Sequence, residues 1–195
     1  FVREYPVNAP PLILVIGGAA SGKSAFAERL AHRIGAQAGL KKLYLATAQA
    51  CDDEMAEKIA RHRAARANDG WTTIEITAPL DIAPALARGS SDHIILLDGI
   101  TLWVSNVILS GMDWDGALGT LINALTHTAA PVIVVSDEVG TGVVPDNTLA
   151  RTFRTAQGGV NQRLAEQADV VVFVTAGVPM MLKGGHLLHN MGWGG

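Results

Sequence analysis

Apolar residues in this chain gather in short runs set between longer mixed stretches. The runs are Leu12 to Ile16, Leu43 to Ala46, Thr72 to Ile76, His93 to Leu97, Val132 to Ser136 and Val170 to Val174. Most are continuous rather than alternating, as a strand covered on both faces requires. Between them, helical spacing is predicted over Lys23 to Gly35, Asp53 to Arg66, Thr101 to Leu109, Trp114 to Thr128 and Asn147 to Gln167, with Gly158-Gly159 a candidate break in the last. Alternation of strand and helix predicts an α/β fold, a mostly parallel sheet with helices on both faces. Ligands of such sheets sit at the carboxyl ends of the strands. With 195 residues, no internal repeat and no linker, residues 1–195 are read as one domain. The stretches 1–11 and 184–195, rich in proline and glycine respectively, are expected to be flexible ends.

Composition narrows the function more than the fold. Charged residues are 17% of the chain against about 25% in ordinary soluble domains. The 15 Lys+Arg and 18 Asp+Glu leave a formal charge of -3, which disfavours a nucleic-acid partner that would demand an excess of cations. No apolar run approaches the roughly 20 residues that span a bilayer, so no membrane insertion is expected. A single cysteine, Cys51, cannot close an internal disulfide, which suits a reducing, cytoplasmic setting.

The strongest local signal is Gly17-Gly18-Ala19-Ala20-Ser21-Gly22-Lys23-Ser24, which fits GxxxxGK[ST] between an apolar strand and a helical stretch. Glycine lets the backbone curl so that successive N–H groups face an anion, and the helix that follows adds the positive end of its dipole. Lys23 would reach the β and γ phosphates, and the Ser24 hydroxyl would hold Mg²⁺. A plain Gly-rich turn would not need Lys and Ser in the last two places. A partner carboxylate for the metal is offered by Asp98 at the end of the strand His93 to Leu97, although an Asp may simply close a strand before Gly99. Asp137-Glu138 offers a second acidic pair after Val132 to Ser136, or else a polar turn.

The stretch Asp53 to Arg66 begins with acids and ends with bases, matching the helix dipole at both ends. Met55, Ile59, His62 and Arg66 share one face at spacings of four, three and four, so His62 lies on the apolar stripe. Such a histidine is usually a packing residue. Here Arg61, Arg63 and Arg66 supply a positive field that favours the neutral, nucleophilic imidazole and could also neutralise phosphate, unless they only form a solvated helix end.

Taken in order, the residues resemble the bifunctional cobinamide kinase and cobinamide-phosphate guanylyltransferase family of cobalamin biosynthesis. The likeness spans about Leu12 to Lys183 and rests on Gly17 to Ser24, Ala46-Thr47-Ala48, Asp53-Glu54-Met55, His62, Arg66, Trp71, Glu75 and Asp98. It continues through Thr101-Leu102-Trp103, Glu138-Val139-Gly140, Arg151, Phe153-Arg154, Gly158, Asn161-Gln162-Arg163 and Gly177-Val178-Pro179. The resemblance implies a P-loop NTPase-type fold and two reactions. ATP or GTP would phosphorylate the aminopropanol hydroxyl of adenosylcobinamide. GTP would then transfer GMP to adenosylcobinamide phosphate, passing through a covalent phosphoramidate on His62. It implies nucleotide contacts from Gly17 to Ser24, Ala46 to Ala48, Arg63, Ala64, Ala65, Arg66, Glu75 and Asp98, with Glu75 a candidate acceptor for guanine N–H groups. It also implies a homo-oligomer, a trimer. Two positions depart from the family pattern: Asp137 stands where relatives usually carry Asn, and Thr155 where Asp commonly follows Phe-Arg. A small-molecule kinase with a structural His62, or a nucleotide-responsive binding protein, would share the phosphate cradle and lack the covalent step.

Overall fold

A computed structural model describes residues 10–47 and 69–191. Seven strands form one sheet: β1 (Leu12–Gly17), β2 (Lys41–Ala46), β3 (Trp71–Glu75), β4 (His93–Asp98), β5 (Val132–Asp137), β6 (Val170–Thr175) and β7 (Val178–Lys183). Their order is β3-β2-β4-β5-β1-β6-β7, parallel throughout except that β7 runs antiparallel to β6 at the edge. The helices are α1 (Lys23–Ala38), α2 (Ile82–Leu86), α3 (Ile100–Leu109), α4 (Trp114–His127), α5 (Thr148–Gln167) and α6 (Gly185–Asn190).

The continuous apolar runs reflect two cores, one on each face of the sheet. Side chains of a strand alternate between faces, so successive residues of one run serve different layers. Leu12, Leu14, Leu43, Leu45, Ile95, Leu97, Val132 and Val134 pack against Trp103, Val107, Leu118, Leu121 and Val160 of α3, α4 and α5. Ile13, Val15, Ile94, Leu96, Ile133, Val135, Val170 and Val172 pack against Phe26, Leu30 and Ile34 of α1 and Leu188 of α6. Truncating any of these to Ala would cost about 2–5 kcal/mol, since neither layer can collapse into the hole without moving the sheet.

Three features differ from the sequence expectation. α5 runs unbroken through Gly158-Gly159; a Cβ on Gly159 would stand 2.9 Å from the Trp114 ring, so that glycine admits α4 to close packing. β7 and α2 were not expected at all. The predicted flexible end from Gly184 onward begins with α6, whose Leu188 is buried. The predicted helix Asp53 to Arg66 lies outside the described residues.

Candidate active site

The sheet delivers three strand ends to one place. β1 runs into the turn Gly18 to Gly22, and its last residue, Gly17, is in register with Asp137 at the end of β5. The Glu138 N–H donates to the Gly17 carbonyl at 3.0 Å, which fixes the start of the turn beside the end of β5. Gly22 closes the turn at φ 91°, a left-handed conformation that glycine adopts without a Cβ penalty, and α1 begins at the next residue. No side chain caps α1 and no acid stands in its first turn. Its leading N–H groups and the positive end of its dipole are therefore left for an external anion. Within the turn, the Ser21 hydroxyl oxygen is buried with no hydrogen-bond partner among the described residues.

Charged and hydroxyl groups surround this turn. Lys23 forms an ion pair with Asp137 Oδ1, and its Nζ also donates to the Gly18 carbonyl at 3.3 Å. Ser24 Oγ donates to Asp98 Oδ1 at 3.4 Å, while the Tyr44 hydroxyl donates to Asp98 Oδ2 at 2.5 Å. The Asp137 N–H donates to Thr101 Oγ1 at 2.8 Å. Beneath Asp137, Ser136 donates to Asn161 Oδ1 at 2.6 Å, Gln157 Nε2 donates to Ser136 Oγ at 2.7 Å, and Asn161 Nδ2 donates to the Asp137 carbonyl at 2.9 Å. This buried network clamps the end of β5 to α5. The two-residue turn Ala176-Gly177, both at positive φ, joins β6 to β7 and rests on the phosphate turn, with the Gly177 N–H donating to the Ser21 carbonyl at 2.8 Å.

Gly17 to Ser24 and Asp98 are thus brought together as the sequence predicts. Ser24 and Asp98 present two oxygens facing each other, a donor set suited to a hard divalent cation that fills its remaining positions with water and phosphate oxygens. Among the described residues no group of three or more His, Cys, Asp or Glu side chains could hold a metal by itself. Ala46 and Thr47 are buried; the Thr47 hydroxyl donates to the Gly99 carbonyl at 2.5 Å and so secures the turn after Asp98. Glu75 ends β3, four strand spacings from β1, or about 19 Å away at ~4.8 Å per spacing, and does not join the phosphate turn. Ala48, His62, Arg63, Ala64, Ala65 and Arg66 lie outside the described residues. Tyr44 and Gln157 carry no signal in the sequence, and Gly177 stands there only as part of the family pattern, without its turn. Tyr44 sits in an apolar run, and nothing in a polar helical residue such as Gln157 announces that it is buried.

Comparison with known proteins decides among the kinases and switches that share such a turn. A family model described as cobinamide kinase / cobinamide phosphate guanyltransferase matches residues 13–182. The chain belongs to this family. It is 42% identical over 174 residues to a bifunctional adenosylcobalamin biosynthesis protein of Pseudomonas aeruginosa, covering 88% of this chain and 96% of the relative. It is also 42% identical over 187 residues to the corresponding protein of Salmonella typhimurium, covering 88% of this chain and 99% of the relative. Among solved structures, a KaiC-like protein of Pyrococcus horikoshii aligns over 88% of this chain and 80% of its own, with a TM-score of 0.50 and 12% identity. The flagellar accessory protein FlaH of Methanocaldococcus jannaschii aligns over 90% and 80%, with a TM-score of 0.50 and 16% identity. These two likenesses concern the fold alone. The family match, from β1 to the penultimate residue of β7, takes in the phosphate turn and both strand-end carboxylates. The chain is accordingly a cobalamin-biosynthesis enzyme of the bifunctional kinase and guanylyltransferase type.

Proposed function

We propose that both reactions of the family run from the Gly17–Ser24 turn, with Lys23, Ser24 and Asp98 handling the triphosphate and His62 carrying GMP between substrates. The observation that carries this reading is the convergence of an uncapped helix start, Lys23 and the Ser24–Asp98 pair on one turn. Backbone N–H groups and Lys23 bind the phosphates of ATP or GTP and neutralise charge that spreads over the equatorial oxygens during transfer. Ser24 and Asp98 would hold Mg²⁺, which supplies further charge neutralisation when bound. In the kinase step the hydroxyl oxygen of adenosylcobinamide attacks the γ phosphorus, the bond to the nucleoside diphosphate breaks, and the hydroxyl proton leaves to solvent. In the second step an imidazole nitrogen of His62 attacks the α phosphorus of GTP and pyrophosphate departs. A phosphate oxygen of adenosylcobinamide phosphate then displaces the imidazole to give adenosylcobinamide-GDP. Two displacements with a good leaving group replace one difficult exchange.

Asp137, paired with Lys23, would act as a counter-ion that competes with the phosphates for the lysine. Among the described residues no helix is long and apolar enough to cross a membrane, and the single cysteine supports a cytoplasmic site of action. The edge strand β7 exposes Val178, Met180 and Leu182, which supports assembly into a homo-oligomer, a trimer by the family resemblance. The test is an acceptor assay. Label from the γ position of ATP or GTP should appear in cobinamide phosphate, and label from the α position of GTP in a GDP-linked cobinamide. Tight nucleotide binding with neither product formed would reduce the chain to a phosphate-binding protein.

A further inference from the structure

Beyond the phosphate turn, the loop after β5 and the middle of α5 enclose a cavity of about 350 Å³. Gly140 and Val144 line it from the loop; Arg151, Arg154, Gly158 and Gln162 line it from the helix. We propose that this groove is the acceptor subsite, which holds the amide-rich periphery of cobinamide while its hydroxyl end reaches the γ phosphate. The assignment rests on the kinase reading above and adds to it where the acceptor lies.

Four observations converge on it. The first is position. Gly140 is three residues past Asp137, whose carboxylate pairs with Lys23, so the two Cα atoms lie within about 11 Å, taking ~3.5 Å per residue as the limit of an extended chain. The second is a guanidinium with donors to spare. Arg154 Nη2 donates to the Gly140 carbonyl, but Nη1 is buried with no partner among the described residues. A desolvated N–H without an acceptor carries a penalty, and a small rotation of the guanidinium into the groove would let an amide oxygen of the acceptor remove it. Arg151, one turn earlier on the same helix, ties the loop to it by donating to the Pro145 carbonyl at 3.1 Å and the Asp146 carbonyl at 2.6 Å.

The third observation is Gly158. Mid-helix glycine is unfavourable beside alanine, and Gly159 earns its place against Trp114, yet a Cβ on Gly158 would meet nothing within 4 Å. The chain forgoes a side chain there without any packing reason, and the residue lies on the groove wall. A bulky ligand laid against the helix supplies the reason. The fourth is chemistry: the polar lining of the groove is two arginines, the Gln162 amide and the Thr155 hydroxyl, with no carboxylate, and guanidinium groups are donors only. An acceptor ringed with amide carbonyls matches that wall.

The test measures equilibrium binding of cobinamide, followed by its visible absorbance in dialysis, to the wild-type chain and to Gly158→Leu and Arg154→Ala, with GTP binding measured in parallel. Both variants should weaken cobinamide binding about tenfold or more, as loss of a charge-assisted contact or a filled groove implies, and change GTP affinity by less than about twofold. Arg154→Lys should recover only part, because it keeps the charge and loses the fork. Should Gly158→Leu fail to fold, Gly158→Ala serves in its place: it should melt no lower than wild type and still bind cobinamide more weakly. If the wild type binds cobinamide and the variants bind it equally well, or lose GTP instead, the groove is not the acceptor subsite. If the wild type binds no cobinamide at all, the kinase reading falls with it.

Discussion

Asp98 and Asp137 end neighbouring strands at the same edge of the sheet, yet they are held in opposite ways. Asp98 accepts hydrogen bonds from two neutral hydroxyls, those of Ser24 and Tyr44, and no cation among the described residues pairs with it. Asp137 forms an ion pair with Lys23, and its strand end is clamped from below by Ser136, Gln157 and Asn161. The two hydroxyls orient the Asp98 carboxylate beside Ser24, where we propose it helps to hold the metal ion. In the proposed mechanism the Asp137 carboxylate, paired with Lys23, competes with the phosphates for that lysine. Two acids that look alike at the ends of two apolar runs are therefore expected to act on the same ligand in contrary ways.

Substitutions that remove each charge should break the symmetry in opposite directions. The largest effect belongs to Asp98→Asn, which should lower kcat of the kinase reaction by about 10²–10³-fold and raise the Mg²⁺ concentration needed for half-maximal rate. Steady-state rates across a Mg²⁺ titration check it, and a variant with wild-type metal dependence would remove Asp98 from the metal. Next comes Asn161→Ala, which leaves buried partners unsatisfied under Asp137 and should cost about 1–3 kcal/mol. For a chain of this size that is a melting temperature lower by roughly 2–10 °C, readable by calorimetry. The smallest and most telling is Asp137→Asn. With the ion pair gone, Lys23 is free and a negative charge near the phosphates is lost, so GTP should bind about fivefold more tightly, on the order of 1 kcal/mol for a partly exposed pair. Weaker binding would mean that Asp137 assists the nucleotide, as Asp98 does. High salt should narrow the gap between Asp137→Asn and wild type, since screening weakens the pair in the parent.

The parts that were legible in the sequence share a physical reason. A phosphate turn is contiguous in the chain, and its glycines, lysine and serine have no other common reason to stand together. The doubly covered strands announce themselves because burial on two faces leaves no room for alternation. Asp98 was legible as the first polar residue after such a run. What escaped depends on contacts between distant segments. The Ser136–Gln157–Asn161 network is polar residues made buried by the docking of α5, which no local pattern records. β7 carries Pro179 and exposes most of its apolar side chains, so it lacks the buried-strand signature, and its turn is Ala-Gly rather than the usual Asn-Gly. α5 crosses Gly158-Gly159 because tertiary packing overrides the weak helix preference of two glycines.

In the proposed mechanism GTP bound at this turn gives up GMP to His62. Intact-mass measurement of the protein after incubation with GTP and Mg²⁺, followed by mapping of the modified peptide, tests it most directly. One GMP per chain is predicted, on the peptide containing His62, lost in acid, retained in base and missing from His62→Ala. An unmodified wild-type protein that still phosphorylates cobinamide, or an adduct that persists in His62→Ala, would contradict it.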